Sequence, residues 1–385
     1  MKKKAIALVL ILCMSLAMLA ACGDKQPDPA KTAAPAQSDN NGGAGGTEEK
    51  HDWKKMNITY TTFQNDKSLS NYVMYTMQDK INERMDGAIQ FEYYYSGTLC
   101  SNVDTLDSVI SGVADMGIIT VGNYPGRLPY ISMFDQVGIR WSNTSAASSA
   151  LNEFINTWDD LGELDDVKVF SVSIATPGCI ASKRPIRTVD DFKGMTIRAT
   201  ATSADVVSKL GATPVTLEWS ECYEAMRNGM VEGLYTMVGP CSTSQIQEVA
   251  PYCTMNPFHV STYIVIMNKD TYESIPDEQR ALFDELANET FEEFGKSYAG
   301  TFDYDDRAQK YLGDIEELIF LDDDNIEKMG ELIGGQIENY AKQLDDKGLK
   351  GTEALEYIRE LSDKYNAMYP AGDYNDYVLS FVPEK

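Results

Sequence analysis

Two histidines, His51 and His259, are the whole supply of imidazole in the chain. That nearly removes histidine-based metal sites and leaves one candidate base for a Ser-His or Cys-His nucleophile. No G-x-S-x-G, G-x-G-x-x-G, P-loop or H-E-x-x-H segment occurs. Acid pairs such as Asp165-Asp166 are adjacent and read as solvated loop charge, whereas a glycosidase needs two carboxylates facing across a cleft. The expectation is a protein without catalytic residues, resident metal or cofactor. One cation is placed to do recognition chemistry. Arg198 ends an apolar run just before the threonines of Ala199-Thr200-Ala201-Thr202, where a strand end can aim it into a cleft. Its planar fork matches the two oxygens of a carboxylate.

The charge balance makes such a group necessary. The 385 residues carry 59 acidic and 33 basic side chains, a net charge of −26. Phosphate backbones are repelled, so nucleic acid is a poor partner, and a small anion can bind only beside a local positive group. Hydrophobic residues make up 43%, enough for one large or two medium globular domains.

The N-terminus reads as a leader. Lys2, Lys3 and Lys4 precede an apolar run from Ala5 to Ala20, short for a span of about 20 residues but suited to a signal peptide. It closes on Leu19-Ala20-Ala21-Cys22-Gly23, which resembles a bacterial lipobox. That resemblance implies a signal peptide over 1–21 and lipid on Cys22, hence a protein anchored outside the cytoplasmic membrane. Loss of the three lysines would bring the charge to −29. Residues 22–52, rich in Gly and Pro, read as a flexible tether reaching roughly 30 Å. Of seven cysteines, Cys13 leaves with the leader and Cys22 takes the lipid. Cys100, Cys179, Cys222, Cys241 and Cys253 remain, an odd number without a C-x-x-C pair. Buried free thiols are expected, although Cys241 and Cys253 can be near each other.

From Lys54 onward strand-like and helix-like segments alternate, which argues for an α/β protein. Strands are expected at Met56 to Thr62, Ile89 to Tyr95 and Asp115 to Val121, with a helix from Ser68 to Met85. Ser101 reads as an N-cap for a helix whose apolar face is Val103, Leu106, Val109, Ile110 and Val113. A like unit follows, with Ser220 as cap, helix closure at Asn228-Gly229 and a strand from Leu234 to Val238. In both, a helix ends on glycine and an acidic residue three positions on opens an apolar strand, which suggests two similar α/β lobes. Thr188 and Asp191 make a capping box, and Met195 to Arg198 is a short strand. Pro276 opens a helix with Leu282, Phe283, Leu286, Phe291, Phe294 and Tyr298 in register. Unbroken to Tyr311, it would be roughly 50 Å long.

The stretch Pro185-Ile186…Asp190-Asp191-Phe192-Lys193-Gly194-Met195-Thr196-Ile197-Arg198 resembles a signature of the solute receptors of TRAP transporters, the DctP-like family. In order, Leu210 to Val215 resembles its L-G-A-x-P segment, Ser220 to Met226 its S-E-x-Y-x-A helix start, and Gly229 to Gly233 its G-x-V-D-G turn. Ser96 to Leu99 and Asn256 to Asn268 match further stretches, so the resemblance covers about Trp53 to Tyr365. It implies a two-lobed periplasmic-binding-protein-like fold of class II type, with hinge strands and a long lobe-spanning helix. Lobe I is expected over 53–175 plus about 262–300, lobe II over 176–261 plus about 301–365, and a tail over 366–385. The implied function is that of an extracytoplasmic receptor, a monomer that binds an organic anion between closing lobes. It would deliver that anion to small and large membrane subunits driven by an ion gradient.

The same resemblance places Arg198 on the substrate carboxylate and Trp219 on the cleft wall. Tyr235 and Thr236 follow the Val-Glu-Gly turn, where relatives often have Gln-Glu-Asn-Pro, so Thr236 can supply a hydroxyl in place of the Asn. Gln64, Asn65 and Tyr95 are further candidates, the last from the alternating Tyr93-Tyr94-Tyr95. His259 falls on a family-typical histidine and reads as structural. Some sugar-acid-binding relatives carry a second arginine 20 residues before the first, where this chain has Gly178. A monocarboxylate with an apolar or aromatic body is favoured. A C4-dicarboxylate would need a second cation, for which Arg127 and Lys183 are the candidates. Two rival functions stay open, a receptor for an ATP-driven importer and an extracytoplasmic sensor module handing ligand to a membrane receptor. The block from Pro185 to Arg198 disfavours the first.

Overall fold

The computed structural model describes residues 51–175, 178–301 and 306–370. The leader, Cys22, nearly all of the tether and most of the expected tail lie outside them. Strands β1 (Met56–Thr61), β2 (Ile89–Tyr94) and β3 (Met116–Thr120) are joined by helices α1 (Leu69–Arg84) and α2 (Thr105–Ile110). Helix α3 (Thr144–Thr157) leads to β4 (Val167–Ala175) and β5 (Gly178–Ser182). Then come β6 (Thr196–Arg198), α4 (Ala204–Lys209), β7 (Thr213–Val215), α5 (Cys222–Arg227), β8 (Gly233–Met237) and α6 (Val238–Thr243). Strands β9 (Tyr252–Asn256) and β10 (Ser261–Asn268) precede α7 (Lys269–Glu273), α8 (Asp277–Thr301) and α9 (Asp306–Asp314). The chain continues through β11 (Glu317–Ile319), α10 (Asp323–Ile333), α11 (Gln336–Asp346) and α12 (Gly351–Met368).

The strands form two sheets, β2-β1-β3-β10-β4 and β11-β9-β5-β8-β6-β7. The repeat suggested by the sequence is carried through: β1-α1-β2-α2-β3 and β6-α4-β7-α5-β8 each place two parallel partners about their first strand. Each third strand then takes an antiparallel neighbour, β10 for β3 and β5 for β8. The helix-closing glycines Gly112 and Gly229 have φ of 75° and 74°, a left-handed turn that only glycine adopts without cost. The sheets are linked by two strand pairs. β4 pairs with β10 in the first sheet and β5 with β9 in the second, so the chain crosses between 175 and 178 and again between 256 and 261.

Period-two alternation sorts the core. On β10, Val265 and Met267 face α1 and α8, while Ile264 and Ile266 face α2, α3, α11 and α12. In the second sheet Ile180, Ile197 and Tyr235 pack under α4 and α10. Cys179, Leu234 and Cys253 pack on the opposite face with α6 and α9. Cys179, Cys222, Cys241 and Cys253 are buried free thiols and Cys100 is half-buried.

Several expectations are corrected. The helix after Ser101 starts only at Thr105, and Val103 and Val113 lie outside it, 45% and 57% exposed. The Ser101 hydroxyl instead bonds the Asp104 carboxylate at 2.5 Å. Glu218 rather than Ser220 forms the box with Glu221. The largest difference concerns 336–365, expected in lobe II. Helices α11 and α12 bury Ile337, Leu344, Leu355 and Ile358 against α3 and the first sheet. Their apolar stripes, not their place in the chain, choose the core they join. Helix α8 is about 37 Å long; its expected continuation to Tyr311 runs through 302–305, outside the described residues.

Candidate ligand cleft

A cavity of about 950 Å³ opens at the ends of β6 and β8 and runs along β4 and β10. It is lined from both sheets, by Phe63, Asn65 and Tyr263 on one side and Arg198, Trp219 and Thr236 on the other. Hydrogen bonds cross its margins between the first sheet's side and the second's. Asn65 Nδ2 donates to the Thr243 carbonyl at 3.0 Å, the Asn102 amide to Glu218 Oε2 at 3.3 Å, and the Thr202 amide to the Gly122 carbonyl at 3.1 Å.

Arg198 is 7% exposed. Its Nε donates to the Leu217 carbonyl at 3.1 Å and its guanidinium lies over the Trp219 ring, 5.6 Å from the centroid. Among the described residues no carboxylate pairs with it, and its Nη groups have no acceptor. A desolvated guanidinium without a counter-ion is costly, so the arrangement is suited to receive an anion. Trp219 is itself fixed, its indole donating to Ser244 Oγ at 3.0 Å. Phe63 and Tyr263 stack at 6.2 Å between centroids and 15° between planes, giving an aromatic surface.

Gln64, Asn65, Arg198, Trp219, Tyr235 and Thr236 all line this cavity. Gln64 is held by Ser68 Oγ at 2.8 Å, and Thr236 sits in register with Cys179. Tyr95 is not brought to it. Its hydroxyl accepts from Tyr75 at 2.7 Å and its ring stacks on Tyr93, because the end of edge strand β2 turns it toward α1. Arg127 lies on the surface against Asp107, and Lys183 is likewise not a lining residue. Lys364 does line the cavity, but it is ion-paired with Glu153.

Part of the wall was not foreseen from the sequence. His259 lies in the lining with its ring 4.4 Å from that of Tyr235. Burial, then the nearby Arg198 charge, push its pKa down to about 3, so it is neutral at ordinary pH. Ser145, Ser148, Ser149 and Asn152 form one stripe of α3 in the lining, which Ser171 and Ser173 of β4 also join. Their i, i+3, i+4, i+7 spacing was the signal available in the sequence.

A two-lobed α/β fold with a cleft beside paired linking strands is an architecture that solute receptors use, and the family match decides the class. Residues 61–343 match the model of bacterial extracellular solute-binding proteins, family 7 (DctP), and the chain belongs to that family. A solute-binding protein of Sulfitobacter sp. (strain NAS-14.1) is 24% identical over 304 residues, 77% of this chain and 82% of that protein. The C4-dicarboxylate-binding protein DctB of Bacillus subtilis (strain 168) is 22% identical over 226 residues, 57% of this chain and 64% of that protein. Among solved structures, a TRAP solute-binding protein from Rhodoferax ferrireducens T118 with copurified benzoate superposes with a TM-score of 0.74 at 22% identity, covering 82% of this chain and 99% of that one. A marine metagenome TRAP solute-binding protein specific for aromatic acid ligands, with metahydroxyphenylacetate, gives 0.74 at 24% identity, covering 81% and 100%. Members and neighbours of this family are receptors rather than enzymes. Among the described residues no helix is long and apolar enough to cross a membrane.

Proposed function

We propose that this chain is a lipid-anchored receptor that takes an organic monocarboxylate with an apolar or aromatic body and passes it to ion-gradient-driven TRAP membrane subunits. The carrying observation is Arg198, buried at the cleft, backed by Trp219 and without a counter-ion among the described residues. The carboxylate would lie on its Nη groups and the body against Phe63, Trp219 and Tyr263. Lipid on Cys22 would hold the receptor outside the membrane, and the receptor would work as a monomer. A C4-dicarboxylate is disfavoured because Lys364, the other cation of the lining, is already paired with Glu153. The benzoate and aromatic-acid complexes of structural neighbours agree with the aromatic reading.

Thermal unfolding against a panel of organic acids tests it. An acid at 100 times its dissociation constant should add about 2.7 kcal/mol of stability, and Arg198→Ala should abolish the shift. A shift that survives Arg198→Ala contradicts the assignment.

A further inference from the structure

The cavity wall behind Arg198 holds polar groups that the fold leaves without partners. Tyr235 is 2% exposed and its hydroxyl has no hydrogen-bond partner. It faces Asn256, whose Nδ2 is also unpartnered, so the two do not complete a bond of normal geometry. His259, 8% exposed, lies against the Tyr235 ring, and no hydrogen bond to its imidazole is found among the described residues. Buried polar groups nearly always find partners, and leaving one unmade costs about 1–3 kcal/mol. A bound ligand can supply what is missing here.

Gly178 explains how the imidazole comes to this place. A Cβ at 178 would stand 2.6 Å from both the Cβ and the carbonyl oxygen of His259, and 2.9 Å from the Asn256 carbonyl. β5 and β9 are in register at Gly178 and Asn256, so neither backbone can withdraw without breaking that pair. With His259 in this position there is no room for a side chain at 178. Arg198 is close enough for its charge to act on the imidazole. Arg198, Tyr235 and His259 all line the one cavity, so a single ligand can meet all three.

We propose that Gly178 and His259 form a specificity determinant. The imidazole, seated against a residue without a side chain, takes with the Tyr235 hydroxyl an uncharged hydroxyl or carbonyl oxygen of a monoanionic acid whose carboxylate lies on Arg198. The ligand class is thus a hydroxy or oxo monocarboxylate, and this rests on the carboxylate reading of Arg198. A second carboxylate at the same place would meet an uncharged ring and a phenol rather than a cation, and would be desolvated without gaining an ion pair.

The test is titration calorimetry on the full chain in detergent with four acids of one shape: 3-phenylpropionate, 3-phenyllactate, phenylpyruvate and benzylmalonate. The hydroxy or the oxo acid should bind at least about 10-fold more tightly than 3-phenylpropionate, because a site built for an oxygen rejects the analogue lacking it. Benzylmalonate should bind more weakly than either. In His259→Leu the ratio between oxygenated and plain acid should collapse toward one. Should that variant not fold, Tyr235→Phe, which removes only an oxygen, should lower the same ratio. Equal binding of plain and oxygenated acids, or tightest binding of benzylmalonate, overturns the determinant while Arg198→Ala still abolishes binding. Binding that survives Arg198→Ala, or no binding of any of the four, overturns the carboxylate reading and this inference with it.

Discussion

Arg198 offers an anion a buried guanidinium, held by the Leu217 carbonyl and backed by the Trp219 ring. Its residue type and its place at a strand end were visible in the sequence, and β6 does deliver it to the cavity. Its isolation from carboxylates was not visible, because that depends on which acids fold elsewhere. Arg198→Lys keeps the charge but loses the fork, and should weaken acid binding by about 10-fold or more in calorimetry. His259 was read as structural, a family-typical histidine just before a strand, and it stands in the cavity lining. Its pKa, lowered to about 3, means that its own protonation should add no step to acid affinity from about pH 5 to about pH 8. A step near the ordinary histidine value of about 6.5 that His259→Leu removes and Asp135→Asn leaves would show an imidazole that titrates normally. The linkage to stability has a definite sign. A histidine held neutral destabilises the fold as pH falls from about 6.5 toward 3, where the unfolded chain binds the extra proton.

At the scale of elements, the strand pairs β4–β10 and β5–β9 form the junction, and a buried carboxyl sits beside it. Asp135 accepts from the Thr262 amide at 2.9 Å and from its hydroxyl, at the start of β10. Burial nevertheless raises its pKa to about 7, with the hydrogen bonds from Thr262 and Gly122 opposing. A raised carboxyl pKa means that the folded state holds the proton longer, so this group lowers stability as pH rises between about 4 and 7. The slope is at most about 1.4 kcal/mol per pH unit. Denaturant titrations of Asp135→Asn should show a flatter profile over that range, and an unchanged slope would assign it elsewhere. Glu163, raised to about 8 by burial, acts in the same direction and should remain in the variant. Helix α12 is set as closely as the hinge. A Cβ at Gly351 would stand 2.0 Å from the Ala341 carbonyl of α11. Gly351→Ala should cost about 1–3 kcal/mol or more, read as a lower unfolding temperature.

For the molecule as a whole, the paired α/β units were legible because glycine-closed helices and apolar strands recur with the same order. The segment after β11 was not, since amphipathic helices declare that they have a buried face and not which core buries it. The cavity accordingly contains residues from a part of the chain expected in the other lobe, among them Lys364 and Tyr365. The cross-cleft bonds from Asn65 and Asn102 bring the two sides together around the proposed carboxylate site. Asn65→Ala removes one of them and should weaken acid binding by roughly 5- to 10-fold, about the net value of one hydrogen bond. The larger change should be in ligand release, as followed by stopped-flow fluorescence of the tryptophans.

The most direct test of the carboxylate reading compares an acid with its own amide. Calorimetry would titrate an acid found in the thermal screen, then the corresponding primary amide, into the wild type and into Arg198→Ala. The expected result is binding of the acid alone, lost in the variant, because the amide keeps the shape and gives up the negative charge that Arg198 needs as its counter-ion. Equal affinity for acid and amide, or an acid that binds the variant as well as the wild type, would contradict it.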